Sequence, residues 1–314
     1  MSVPERRLRV AAIGVGYLGR HHARILGQLE GVDLVGVVDR NEGRAREIAA
    51  GVGSQAFTDP RQLEGQVDAV TIAVPTEHHH AVARPFLEAG IGVLVEKPLA
   101  RTLEEADDLI ATAARSGAVF GVGHTERFNP AVSAALSLVS QPGFVEVHRL
   151  GTFPERSLDI DVVFDLMIHD LDVLLAAVPG EVVAVEAVGV PVLTGRVDIA
   201  NARLRFASGC IANLTASRIS RERVRKVRFF QRDVYLSIDY ASQEVERWTL
   251  ARAEGKLPVI EGGKLDVERQ EPLKVEMADF VGAVRTRGTP RVSGHDGRRA
   301  LELAQRITDA IARG

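Results

Sequence analysis

The sequence has a single cysteine, Cys210, among its 314 residues. That excludes a disulfide within the chain and a cysteine metal cluster. A reducing compartment fits, and the cytoplasm is the expected location. Long hydrophobic runs are also missing. No stretch is long enough to span a bilayer, and residues 1–7 carry no apolar signal region before the first strand. Nor is there a large excess of one charge. A net charge of −3 gives no global pull toward nucleic acid or an anionic membrane. Internal repeats and low-complexity segments are absent.

What is present is ordinary globular composition, long enough for two domains. Hydrophobic residues make up 46% and charged residues 26%, which is ample for two cores. The first part alternates short apolar runs with amphipathic ones. Strands are expected at residues 9–13, 33–39, 69–73, 92–96 and 119–122, with helices at 21–29, 43–51, 79–89 and 103–116. Such alternation predicts a doubly wound parallel sheet of Rossmann type over residues 1–123. Thr102, with Glu105 three residues on, reads as a capping box.

After Gly123 the pattern changes. Helices are expected at 129–140 and about 161–178, with a strand at 144–150 between them. Strand-like runs then follow at 182–190, 198–206, 210–217, 225–231, 234–239 and 244–250. Consecutive strands predict an α+β domain over 124–314, with an open, mostly antiparallel sheet. Residues 251–271 read as a mobile loop, and helices at 277–286 and 297–312 close the chain. The final helix is free to pack back on the first domain. Val227, Phe229, Tyr235 and Trp248 are candidates for the uncovered face of the sheet. Either they form an interface between copies or they lie in the core beneath the helices.

The first strand runs into Gly14-Val15-Gly16-Tyr17-Leu18-Gly19, and the second ends on Asp39. Gly14 allows the tight turn, Gly16 lets backbone approach a pyrophosphate, and Gly19 permits close helix packing. The following helix offers unpaired N–H groups to phosphate. Asp39, about 20 residues past the last glycine, is placed to bind the adenosine ribose diol. A carboxylate there favours NAD over NADP, although Arg40 and Arg44 are of the sign that suits NADP.

Four other clusters could carry chemistry. Lys97 ends a strand of the first domain, where ligands bind, and Pro98 favours an extended Lys97. A solvated surface cation is the alternative. Asp165 and His169 stand four apart on a helix, so the acid can orient the imidazole as a base. An ordinary helix pair is the alternative. His78, His79 and His80 suggest a metal, but neighbours on a helix point apart, so a helix entry capped by Thr76 is preferred. The arginines from Arg218 to Arg232 read as a solvated strand face ahead of an anion or nucleic-acid site.

Taken in order, these motifs resemble the Gfo/Idh/MocA oxidoreductases. They are Gly14–Gly19, Pro75 with His79, Glu96-Lys97-Pro98-Leu99-Ala100, and Asp165 with His169. The resemblance implies a Rossmann domain, then a domain whose open sheet often forms a homodimer or homotetramer. It implies Lys97 and His169 beside a substrate hydroxyl, with Asp165 binding or orienting. It also implies a cofactor set of Gly14, Gly16, Tyr17, Leu18, Gly19, Asp39, Arg40, Pro75, His79, Glu96 and Lys97, with NAD preferred over NADP. Residues 123–130 and 164–172 look like the branch acting at C3 of UDP-linked amino sugars. On that footing Arg127 and Arg156 are candidate substrate cations. Inositol or free-sugar oxidation, and a non-catalytic NAD sensor, are the other readings.

Overall fold

A computed structural model describes residues 6–153, 160–252 and 257–314. By compactness the chain divides in two. One unit runs to His124 and takes in Leu273–Arg298. The other comprises Thr125–Pro272 and Arg299–Gly314.

The first unit holds a six-stranded parallel sheet. Its strands are β1 (Leu8–Ile13), β2 (Val32–Val38), β3 (Gln55–Phe57), β4 (Ala69–Ile72), β5 (Gly92–Glu96) and β6 (Phe120–Gly123). Their spatial order is β3-β2-β1-β4-β5-β6. Every residue of β4 and β5 is buried, as continuous apolar strands must be when both faces are covered. The short β3, only three residues long and largely exposed, has no apolar run to announce it. The winding direction reverses between β1 and β4, which makes their carboxyl ends the ligand crevice of such a sheet.

Helices α1 (Gly19–Leu26), α2 (Glu42–Val52), α3 (His79–Glu88) and α4 (Leu103–Ser116) link the strands. The Thr102 side chain caps α4 by accepting the Glu105 N–H, as expected, but the Glu105 carboxylate accepts from Arg101 N–H instead. Thr76 does not cap α3. It opens a 3₁₀ turn, Thr76–His78, and α3 begins without a side-chain cap.

The second unit contains α5 (Pro130–Leu136), β7 (Pro142–Leu150), α6 (Ile168–Ala177) and β8 (Val182–Val190). Next come β9 (Ile199–Phe206), β10 (Ile211–Ser217), β11 (Val224–Gln231), β12 (Val234–Asp239), β13 (Glu244–Ala251) and β14 (Val259–Lys264). Their order is β14-β13-β12-β11-β7-β10-β9-β8, and only the β7–β10 pair is parallel. Strand β14 corrects the expected loop over 251–271. Its glycines served as a loop signal, yet a Cβ on Gly262 would stand 2.0 Å from the Arg247 carbonyl oxygen. Gly262 is there because two strands approach closely. Helix α7 (Pro272–Thr286) packs Met277 and Phe280 into the core of the first unit, and α8 (Gly294–Arg313) follows.

Burial alternates along the strands of this sheet, strictly so in β9. The covered face packs on α5, α6 and the later part of α8. The four residues proposed for the open face divide. Val227 and Phe229 are buried in the core, whereas Trp248 is 37% exposed. Tyr235 pairs with Trp248 across strands, and Phe230 pairs with both Tyr235 and Phe144. An aromatic ladder therefore crosses β7, β11, β12 and β13 on the uncovered side. Among the described residues, no helix is long and apolar enough to cross a membrane.

Candidate active site

The glycine loop leaves β1 at the crevice of the first unit. Gly14 has φ +81°, and a Cβ there would meet Ala73 and Val74 at 2.7–2.8 Å. On Gly19 a Cβ would stand 1.9 Å from the Gly14 carbonyl oxygen. These two glycines are required by the fold. Gly16 is different, because nothing lies within 4 Å of its Cβ position. Its missing side chain leaves the backbone there uncovered. Leu18 precedes α1 without a side-chain cap, while the Arg20 and His21 N–H groups already donate to the Gly16 and Leu18 carbonyl oxygens. Tyr17 is exposed and lies edge-on to His21, with the Arg20 guanidinium over its ring.

Asp39 follows β2 directly. Its carboxylate accepts the Asn41 N–H at 2.9 Å and lies 3.4 Å from the Arg44 guanidinium. Arg44, which sequence alone counted toward NADP, is thus paired with the acid. Arg40 turns to His78 Nε2 at 3.3 Å. An open glycine, an uncapped helix start and a carboxylate after β2 fit a dinucleotide with a free ribose diol. Such a cofactor supplies a nicotinamide that accepts hydride.

Pro75 precedes the 3₁₀ turn that leads into α3. The three histidines there point to different partners. His80 Nε2 is 2.8 Å from Asp108, and His78 faces Arg40. His79 is buried, with Nδ1 and Nε2 each 2.9 Å from a carbonyl oxygen, those of Pro98 and Val74. Burial pushes its pKa below the ordinary value, against the raising effect of both carbonyls and of Glu96. The ring thereby lies between the loop after β4 and the loop after β5, and in its neutral form it donates to one of the two carbonyls. No cluster of three metal-ligating side chains occurs among the described residues. Glu96 is buried, and Lys97 is half-buried rather than a solvated cation. The Lys97–Pro98 peptide is cis.

In the second unit the expected uniform helix over 161–178 is corrected. Val163–Met167 forms a π-helical turn carrying Asp165, and α6, carrying His169, begins directly after it. The wider turn changes the facing that α-helical spacing gives, and such turns favour functional sites. Both side chains are half-buried. The acids on either side of this face are anchored. Asp170 takes a two-pronged contact from Arg149 at 2.6 and 3.0 Å. Arg149 also reaches Glu126 at 3.1 Å and lies over the Tyr240 ring. Burial works against the charge of Arg149, yet Asp170 and Glu126 outweigh it and hold the guanidinium protonated. Sequence reading missed this hub. Arg149 and Asp170 lie 21 residues apart on different elements, a separation that no local spacing rule covers.

Arg127 is 3.2 Å from Asp172, and its side chain is 12% exposed. Arg156 lies outside the described residues. The arginine run after Arg218 is not one solvated face. Arg218 is fully buried against Asp198 at 2.8 Å and also donates to the Ile160 carbonyl. Burial would raise the Asp198 carboxyl, but the Leu193 and Thr194 N–H groups, the Thr194 hydroxyl and Arg218 hold it well below the usual range. On the open face Arg228 pairs with Glu146 at 2.6 Å.

Comparison with known proteins agrees with this geometry. Residues 8–124 match the oxidoreductase family with an NAD-binding Rossmann fold, and residues 146–232 match the Gfo/Idh/MocA C-terminal domain. The chain is 39% identical to UDP-N-acetylglucosamine 3-dehydrogenase of Acidithiobacillus ferrooxidans, over 97% of both chains. A solved structure of that enzyme superposes with a TM-score of 0.91 at 38% identity, again over 97% of both chains. The NAD-dependent scyllo-inositol 2-dehydrogenase of Bacillus subtilis is 26% identical over 99% of this chain and 96% of its own. The levoglucosan dehydrogenase complex with NADH shares the fold, with a TM-score of 0.86 at 20% identity over 98% of this chain and 97% of the other. The chain belongs to the Gfo/Idh/MocA family of NAD-binding oxidoreductases.

Proposed function

We propose that this protein oxidises the C3 hydroxyl of UDP-N-acetylglucosamine to the 3-keto sugar, with NAD as hydride acceptor. One observation carries the substrate: the 39% identity to a UDP-N-acetylglucosamine 3-dehydrogenase over 97% of both chains. The inositol dehydrogenase is a weaker relative at 26%, so a free polyol stands second. A sensor that only binds NAD stands last, because it needs neither a base nor a cation beside a hydride acceptor.

Oxidation of an alcohol removes a hydride from carbon and a proton from oxygen. The imidazole of His169 takes the proton, since it can accept one near neutral pH. The Lys97 ammonium lowers the energy of the alkoxide as it forms. Asp165 orients His169 or the sugar. Gly14–Gly19, including Tyr17 and Leu18, would hold the pyrophosphate of NAD. Asp39, with Arg40 alongside, would hold the ribose diol, and Pro75, His79, Glu96 and Lys97 would serve the nicotinamide end. Arg156 serves the sugar diphosphate, while Arg127 holds Asp172 on the helix of His169. The protein works in the cytoplasm as a homodimer or homotetramer joined through the open sheet.

Replacement of Lys97 or His169 by Ala tests the roles. Turnover of UDP-N-acetylglucosamine should fall about 10²–10⁴-fold in each, and His169→Ala should keep NADH affinity within about twofold. Near-normal turnover in either variant removes that residue from the mechanism.

A further inference from the structure

His22 was not among the residues that the sequence singled out. It lies on α1, three residues beyond Gly19, and it is 1% exposed. Its Nε2 is 3.1 Å from Glu96 Oε1. The second carboxylate oxygen of Glu96, Oε2, accepts the backbone N–H of Lys97 at 3.2 Å. The acid is enclosed on a third side by β6, where a Cβ on Gly123 would stand 2.8 Å from the carboxyl group. Glu96 itself is 5% exposed. A carboxylate so far from water depends on its protein partners, and losing one leaves it free to rotate toward another donor.

The histidine has a defined protonation pattern. A hydrogen bond to a carboxylate needs a proton on Nε2. Nδ1 is buried without a hydrogen-bond partner among the described residues. A bare ring nitrogen is less costly there than an unsatisfied N–H. The neutral tautomer protonated at Nε2 fits both observations.

We propose that His22 is a positioning residue for Lys97. By donating to Glu96 it fixes the carboxylate that holds the Lys97 peptide, and it ties that peptide to the helix following the glycine loop. The proposal rests on the role given above to Lys97. His22 is 1% exposed and acts through Glu96 and the Lys97 peptide, so its loss weighs on the chemical step more than on binding.

His22→Ala, His22→Gln and Lys97→Ala are compared with the parent enzyme in turnover of UDP-N-acetylglucosamine and in NADH binding by fluorescence. His22→Ala should lose about 10–100-fold in kcat, the scale of a small misplacement of a reacting group. KM for the sugar and Kd for NADH should stay within about threefold. The Gln amide reaches where Nε2 lies, so His22→Gln should recover most of the loss. Retained kcat in His22→Ala, a parallel loss of NADH affinity, or no recovery with Gln would each overturn the proposal. Lys97→Ala separates the layers. Near-normal turnover there refutes the Lys97 role and this proposal with it, whereas loss in Lys97→Ala with none in His22→Ala refutes positioning alone. Nitrogen NMR of ¹⁵N-histidine-labelled parent protein, assigned with His22→Gln, needs neither activity nor a folded Ala variant. It should show a protonated Nε2 and a bare Nδ1, and a proton on Nδ1 instead would overturn the hydrogen bond.

Discussion

Gly16 and Gly19 stand three residues apart in one loop and are glycine for opposite reasons. Gly19 has no room for a methyl group beside the Gly14 carbonyl, whereas Gly16 has nothing near it. Gly19→Ala should therefore lose about 1–3 kcal/mol of folding stability, as overpacking does. Gly16→Ala should melt like the parent but bind NADH at least about tenfold more weakly, a difference of about 1.4 kcal/mol. Thermal melts and fluorescence titration of both variants check this. Unaltered NADH affinity in Gly16→Ala would show that the loop does not meet the pyrophosphate. The loop and Asp39 were legible in the sequence because their geometry is local. The pairing of Arg44 with Asp39, and of His22 with Glu96, was not. A charged residue's partner is chosen by the fold, and sequence spacing gives only its sign.

Among the elements, α6 is governed by what lies beneath it. Arg149 on β7 binds Asp170 on the helix and Glu126 just before α5, all three largely buried. Replacing Arg149 with Met leaves two carboxylates without their cation. A loss of about 3–5 kcal/mol is expected in urea unfolding, and a loss below about 1 kcal/mol would mean that the hub holds nothing. Regular elements with local signals were read closely. Helix α4 begins and ends where its cap and periodicity put it, at Leu103 and Ser116. The π-helical turn at Val163–Met167 was not legible, because apolar periodicity does not register one extra residue in a turn. Strand β14 was hidden by glycines and charges, and only its pairing with β13 reveals it.

At the scale of the whole molecule, the order of element types carried most of the information. Alternating strands and helices gave the parallel sheet, and consecutive strands gave the antiparallel one. Which residues faced outward could not be read. The sequence left Val227, Phe229, Tyr235 and Trp248 open between the uncovered face and the core; the structure puts the first two in the core and Trp248 on the uncovered side, since neighbouring strands need a register before their faces can be matched. The ladder of Phe144, Phe230, Tyr235 and Trp248 supports the proposed assembly through this face. Light scattering should give a dimer or tetramer for the parent and a smaller species for Phe230→Glu. A monomeric parent would refute assembly by this route.

The central claim is a reaction, NAD-dependent oxidation of a nucleotide sugar. The most direct measurement is NADH formation, followed by absorbance, with UDP-N-acetylglucosamine, free N-acetylglucosamine and myo-inositol as substrates. The account predicts turnover with the nucleotide sugar and none with the free sugar or the inositol. Turnover of inositol or free sugar, with UDP-N-acetylglucosamine inert, would contradict it.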